Sequence, residues 1–154
     1  MGWVVTSFIV ALVLSSISLG PELQPWNPPW TILVLVYWCW VLPDRIGAFA
    51  GFCVGLLLDV LSADVLGLHA LGAALAGYLA SVARPVFAAA GVSQQAAVVW
   101  GLVLVYKALV GWVQTLFGPV SLDTTYWLSS LVALPAWPLV YALLKELTPI
   151  KRRI

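Results

Sequence analysis

Charged residues are scarce in this chain, and their scarcity restricts its class. Only 8% of the 154 residues are charged, whereas about a quarter are charged in a typical soluble domain. Hydrophobic residues make up 63%, and the mean hydropathy is +1.05. A net charge of +1 gives no reason to expect nucleic-acid binding. The composition predicts an all-α integral membrane protein with a single transmembrane domain over residues 1–154.

Residues that commonly carry chemistry are also few. Cys39 and Cys53 lie in apolar runs, where a free thiol behaves as a small hydrophobic group, although a disulfide between adjacent helices stays open. The single histidine, His69, has no second histidine or cysteine pair beside it, so we expect an interhelical hydrogen bond rather than a metal site. No catalytic triad pattern, phosphate loop or paired-carboxylate motif is present. The sequence therefore predicts neither an enzyme nor a cofactor.

What the sequence contains is a series of apolar runs divided by short turns. The run that begins at Trp30 has about 13 residues, or roughly 20 Å of helix, less than the roughly 30 Å core of a bilayer. Met1 is not followed by a basic segment, so the first run is expected to be a span rather than a secretory signal. Pro135 and Pro138 are expected to kink the last run. Six spans are predicted, with the second and third short, at about 3–19, 30–42, 46–61, 65–83, 95–117 and 125–144.

The basic residues between and after these runs are all predicted to lie on one side of the membrane. With six spans both termini share one side, which carries the basic residues Arg45, Arg84, Lys145, Lys151, Arg152 and Arg153. The opposite loops hold only the acidic residues Glu22, Asp64 and Asp123. The excess of basic residues predicts that the first side, with both termini, is cytoplasmic.

A row of glycines, Gly47, Gly51 and Gly55, marks the third span. Glycines at this spacing let another helix approach closely, and that helix belongs either to this chain or to a partner. The fourth span offers a similar small-residue row as a mate: Ala73, Gly77 and Ser81.

Two charges, Asp59 and Lys107, fall inside predicted spans. A charge at the bilayer centre costs about 2.5–3.5 kcal/mol on insertion scales, so each needs a partner. Asp59 lies about one turn from the outer end of its span, which favours a structural cap or an interhelical bond over a proton relay. A pair with Lys107 is the other structural interpretation; a ligand or partner contact is the functional one.

Several short motifs follow one another in a specific order along the chain. The most specific block combines a glycine row, a terminal acid and a following turn: Gly51…Gly55-Leu56-Leu57-Leu58-Asp59, then Leu66-Gly67-Leu68-His69-Ala70-Leu71. Flanking motifs cover nearly the whole chain: Pro29-Trp30, Tyr37-Trp38, Pro43-Asp44-Arg45, Tyr78-Leu79, Arg84 and Gln94-Gln95-Ala96. The order and spacing of these motifs resemble the MreD family of rod shape-determining membrane proteins of bacteria. This chain departs from the family in being rich in tryptophan and alanine and poor in lysine.

The resemblance implies a non-catalytic scaffold of the cell elongation machinery in the bacterial inner membrane. It implies a six-helix fold like that of the substrate-binding subunits of energy-coupling-factor transporters. It also implies MreC, a single-span protein, as partner, together with RodA, a class B penicillin-binding protein and the MreB filament. An alternative is a small-molecule binding subunit of a transporter, for which Asp59, His69 and Lys107 would have to converge.

Two surfaces are predicted to meet an MreC-like partner. One is the aromatic second helix with the loop before it, represented by Trp26, Trp30, Tyr37 and Trp38. The other is the glycine row. Four residues are assigned structural polar roles: Arg45, Asp59, His69 and Lys107. The basic tail is expected to contact anionic lipid headgroups or the filament.

Overall fold

In a computed structural model of the chain, residues 2–17, 26–63, 65–117 and 124–147 are described, and their regular structure is entirely helical. The helices are α1 (Gly2–Ser16), α2 (Trp30–Val41), α3 (Ala48–Ser62), α4 (Leu68–Ala89), α5 (Val92–Phe117), α6 (Thr124–Leu131) and α7 (Ala133–Leu147). Three helical stretches are long and apolar enough to cross a membrane: Leu68–Ala89, Val92–Phe117 and Tyr126–Glu146. The helices α1, α2 and α3 are apolar but shorter. The all-helical membrane class is therefore confirmed, while six crossings remain a prediction.

Helix α2 is the centre of the bundle. Every residue from 31 to 39 is buried, and α2 packs against α1, α4 and α7. A helix that is apolar on all sides lies in a protein core or in a membrane, and α2 lies in the core of the bundle. Neighbouring helices therefore shield this short helix.

The glycine row of α3 packs against α4, as the small-residue spacing predicts. A Cβ atom on Gly51 would overlap the backbone carbonyl of Ala73. A Cβ atom on Gly77 would lie 2.8 Å from the carbonyl oxygen of Gly47. Because the two backbones touch, the contact holds only while these positions lack side chains. The predicted internal mate of the row is confirmed.

The predicted end of the fourth helix at Arg84-Pro85 is wrong, because α4 continues through Pro85 to Ala89. A proline inside a helix costs about 3 kcal/mol. The extra turn buries Phe87 to 5% exposure against Trp40 and Trp137, which offsets part of that cost. The side-chain amide of Gln95 then donates to the carbonyls of Phe87 and Ala90 and closes the helix end.

The predicted kink in the last helix is confirmed at Val132, between α6 and α7. Pro135 has no N–H to donate to the carbonyl four residues earlier, at Leu131. The helices stay almost continuous, since Val132 and Ala136 still donate to Leu128 and Val132 respectively. The bend places Trp137 in the core with no exposed surface.

Candidate functional site: polar groups inside the helical bundle

The carboxylate of Asp59 is fully buried and accepts four hydrogen bonds from the start of α4. Oδ2 accepts from the backbone N–H of Gly67 at 2.8 Å and of Ala70 at 3.3 Å. Oδ1 accepts from the backbone N–H of His69 at 2.8 Å and from its ring Nδ1 at 2.9 Å. These backbone donors belong to the first turn of α4, which has no partners within its own helix. Asp59 therefore caps α4 from the end of α3.

The connection between α3 and α4 makes this cap possible. Ala63 has a left-handed backbone, with φ of 54°, and its N–H returns to the carbonyl of Asp59. Gly67 has φ of 99°, a conformation that glycine adopts without steric cost, and α4 starts directly after it. Two left-handed positions four residues apart reverse the chain and point the first N–H groups of α4 at the carboxylate. The negative charge also opposes the positive end of the helix dipole.

His69 completes the cap from the side of α4. Its side chain is 16% exposed, and its ring centroid lies 6.3 Å from that of Tyr106 on α5. The imidazole thus joins the end of α3 to α4 and contacts α5. Within the described residues no group of three or more metal-binding side chains occurs. The geometry here is that of a structural polar junction, with both carboxylate oxygens already engaged.

Lys107 does not pair with Asp59. Its ammonium donates to the carbonyl oxygen of Tyr126 at 2.6 Å and to the hydroxyl of Ser129. It also lies 4.3 Å from the centre of the Tyr126 ring, and the Tyr126 hydroxyl donates back to the carbonyl of Lys107 at 2.9 Å. These reciprocal contacts connect α5 to α6. The neutral oxygens and the aromatic face stabilise the positive charge of Lys107, as a cation inside an apolar helix requires.

The aromatic residues predicted to meet a partner are distributed unequally. Tyr37 and Trp38 are 4% and 2% exposed, and the Trp38 indole donates to Ser7 on α1. Trp26 is 67% exposed, while Trp30 is half-buried and donates to Asn27. The N-terminal end of α2 therefore keeps accessible aromatic surface, and its middle does not. The partner-binding role of all four residues stays a prediction.

The remaining predicted positions, the glycine row and Arg45, differ in their exposure. Gly47, Gly51 and Gly55 face α4, and the backbone there covers the last two completely. Arg45 is exposed in the turn between α2 and α3, with its backbone N–H bonded to the carbonyl of Leu42. An exposed arginine beside a short turn is available to solvent, headgroups or a partner.

Sequence reasoning missed Gln95 as a functional part of the fold. Its amide joins α5 to the end of α4, and its Oε1 is buried without a hydrogen-bond partner among the described residues. A polar residue six positions after the last helical residue of α4 and one helical turn after Gly91 was a usable signal. It was passed over because α4 was expected to end earlier.

The apolar helices and the polar groups that connect them define an integral membrane protein. The sequence profile of the family "rod shape-determining protein MreD" matches residues 1–147. The chain belongs to the MreD family.

A relative from Haemophilus influenzae, described as "Rod shape-determining protein MreD", is 33% identical over 75 residues. That alignment covers 44% of this chain and 42% of the relative, less than half of its length. No solved structure matches this chain.

Proposed function

We propose that this protein is a non-catalytic scaffold of the bacterial elongation machinery. In that role it binds an MreC-like protein, maintains rod shape and supports lateral peptidoglycan synthesis, in contact with RodA, a class B penicillin-binding protein and MreB. Membership of the MreD family carries the proposal. The internal engagement of Asp59, His69 and Lys107 supports a structural role, since these groups hold helices together.

The proposal includes six crossings of the inner membrane with both termini in the cytoplasm. Three helices have sufficient length and apolarity, and α1, α2 and α3 supply shorter apolar segments. Neighbours around α2 relax the usual length requirement, because its backbone is shielded from lipid. We further propose a fold like that of the energy-coupling-factor binding subunits, to which the short second and third helices correspond.

Single-cysteine labelling tests the orientation, after replacement of Cys39 and Cys53. A membrane-impermeant maleimide added outside intact spheroplasts is expected to label cysteines placed at Asp64 and Asp123. Cysteines at Asp44 and Arg84 are expected to react only after lysis. Labelling of either cytoplasmic position from outside would contradict the six-span arrangement.

For the partner we propose the outer end of α2. Trp26 and Trp30 remain accessible there, whereas Tyr37, Trp38 and the glycine row are covered by this chain. Exposed tryptophans are frequent anchors of protein interfaces. Asn27 orients the Trp30 indole, so this end presents a partly ordered aromatic surface.

Copurification with a tagged MreC-like protein tests this surface. Trp26→Ala is expected to lower recovery of the partner by about tenfold, the effect of losing a moderate anchor. Trp112→Ala is the matched control, because Trp112 on α5 is 65% exposed and Trp26 is 67% exposed. Equal recovery with both variants would place the partner elsewhere. Rescue of rod shape in cells that lack their own MreD tests the function independently of the surface.

The small-molecule binding alternative is not favoured by the geometry. It requires Asp59, His69 and Lys107 to line one site, but Asp59 and His69 cap α4 while Lys107 bonds to α6.

A further inference from the structure

A narrow apolar groove lies between α1 and α7, with α2 as its floor. Both α1 and α7 pack on α2. The resulting gap has a volume of about 310 Å³. Residues of α1 at helical spacing form one wall: Trp3, Thr6, Ser7, Val10, Ala11 and Leu14. Leu139, Val140, Leu143 and Leu144 of α7 form the other, over Trp30, Val34 and Trp38.

Both hydroxyl groups of the groove wall are already engaged. The Thr6 hydroxyl donates to the carbonyl of Gly2, and the Ser7 hydroxyl donates to the carbonyl of Val4. Ser7 also accepts from the Trp38 indole. Among the described residues, no charged side chain lines the groove. The electrostatic complement of such a surface is an uncharged hydrocarbon, because a polar occupant would lose its own hydrogen bonds there.

The size of the groove corresponds to one chain of a lipid. A cavity of about 150 Å³ holds a benzene-sized molecule, so about 310 Å³ suits roughly twice as many carbon atoms. The wall on α1 runs from Trp3 to Leu14, about 16 Å at 1.5 Å per residue. A specific protein interface buries about 800 Å² on each partner, far more than one narrow groove provides.

We propose that this groove is a binding site for one acyl chain of a membrane phospholipid. The chain lies along α1 with α7 opposite, and it exchanges more slowly than lipids around the rest of the protein. It fills the gap where α1 and α7 do not meet and completes the packing over α2. The groove adjoins the proposed partner surface at Trp30, which lines it, whereas Trp26 does not.

Photolabelling in vesicles of phosphatidylethanolamine and phosphatidylglycerol tests the site. The full chain is reconstituted with a trace of phospholipid that carries a diazirine in one acyl chain, and labelled residues are mapped by mass spectrometry. Labelling is expected to concentrate on Val10, Leu139 and Leu143. Uniform labelling of these residues and of Val5, Ile9 and Val13 on the outer face of α1 would overturn the proposal.

Filling the groove provides the matched comparison. Val10→Trp is expected to reduce labelling of Leu139 and Leu143 by about tenfold, since a chain loses its place among the apolar walls. Val13→Trp is the control, because Val10 and Val13 are 52% and 56% exposed on the same helix and only Val10 lines the groove. Equal labelling in both variants would overturn the site.

A second pair of variants tests the same site in case Val10→Trp fails to fold. Leu143→Trp fills the groove from α7, and Leu128→Trp on α6 lies outside it. The same contrast in labelling of Val10 is expected. Crosslinking of a partner's transmembrane helix at Val10, with exclusion of the lipid probe, would instead assign the groove to a protein and overturn the acyl-chain proposal.

Discussion

Two charges inside apolar helices, Asp59 and Lys107, are stabilised in different ways at the scale of single residues. N–H donors at the start of α4 and the His69 ring stabilise the negative charge of Asp59, which thereby complements the positive end of that helix. Lys107 faces a carbonyl, a hydroxyl and an aromatic ring, with no carboxylate partner among the described residues. Removing either side chain therefore has a different consequence.

Asp59→Ala is expected to lower the free energy of unfolding by about 3 kcal/mol or more. Several buried N–H groups of α4 lose a charged acceptor, and each such bond contributes about 1.5–3 kcal/mol. Asp44→Ala is the control, because Asp44 is exposed in the turn before α3. Reversible unfolding in mixed micelles measures both variants. Similar losses for the two would mean that the cap does not stabilise the fold.

Lys107→Met and Lys107→Glu are expected to differ strongly. Methionine removes a charge that costs about 2.5–3.5 kcal/mol to insert, and this gain nearly offsets the lost hydrogen bonds, so stability changes by about 1 kcal/mol or less. Glutamate places an acceptor against the Tyr126 carbonyl and is expected to destabilise by about 3 kcal/mol. The same unfolding assay decides. If methionine is as damaging as glutamate, the ammonium itself is required.

At the scale of elements, α3 and α4 form the most extensive helix–helix contact among the described residues. Its helices touch through backbone at Gly51 and Gly55, and Asp59 closes the adjoining turn. Close approach and a shared cap act on the same pair, so each supports the geometry that the other needs. Van der Waals contact of small residues is a main source of helix association in membranes.

Gly55→Ala is expected to destabilise by about 1–3 kcal/mol, the usual cost of overpacking. Its Cβ would lie 2.6 Å from the carbonyl oxygen of His69, so α3 and α4 must separate. Gly101→Ala is the control, since a Cβ there meets nothing within 4 Å. The control is expected to stabilise α5 by up to about 1 kcal/mol through its higher helix propensity. If both substitutions changed the free energy of unfolding in the same direction, close packing at Gly55 would not explain the result.

The whole molecule combines short and long apolar helices. Helices α1 and α3 have 15 residues each, whereas α5 has 26. At 1.5 Å per residue the short helices reach about 22 Å, below the roughly 30 Å hydrocarbon core. Both carry exposed apolar side chains such as Val13 and Leu57. Under the proposed six-span arrangement, the surrounding bilayer would thin beside these two helices.

Bilayer thickness is expected to change the stability of the protein. Melting temperatures in nanodiscs of 14-carbon chains should exceed those in nanodiscs of 20-carbon chains, because mismatch costs fractions of about 1 kcal/mol per Å. Tryptophan fluorescence follows the unfolding. A higher melting temperature in the thicker bilayer would show that the long helices, not α1 and α3, determine the bilayer thickness in which the protein is most stable.

The sequence by itself determined the class and much of the local framework. Scarce charge and long apolar runs indicate membrane helices, since charged groups are costly in hydrocarbon. Pro135 determined the bend near Val132, because a missing N–H acts within its own helix. The glycine spacing indicated α3–α4 packing because small residues at that interval occupy neighbouring turns. These are effects of composition and of contacts within one or two turns.

Only the tertiary structure decided which polar and aromatic groups meet. Spacing left Asp59 free to pair with Lys107 or to cap a turn, and the choice depended on where α4 begins relative to α3. The burial of Tyr37 and Trp38 follows from α2 being surrounded on all sides. The length of α4 beyond Pro85 depends on burial of Phe87 against distant aromatic residues. Long-range contacts outweigh local propensity here, because burial in three dimensions sets their free energy.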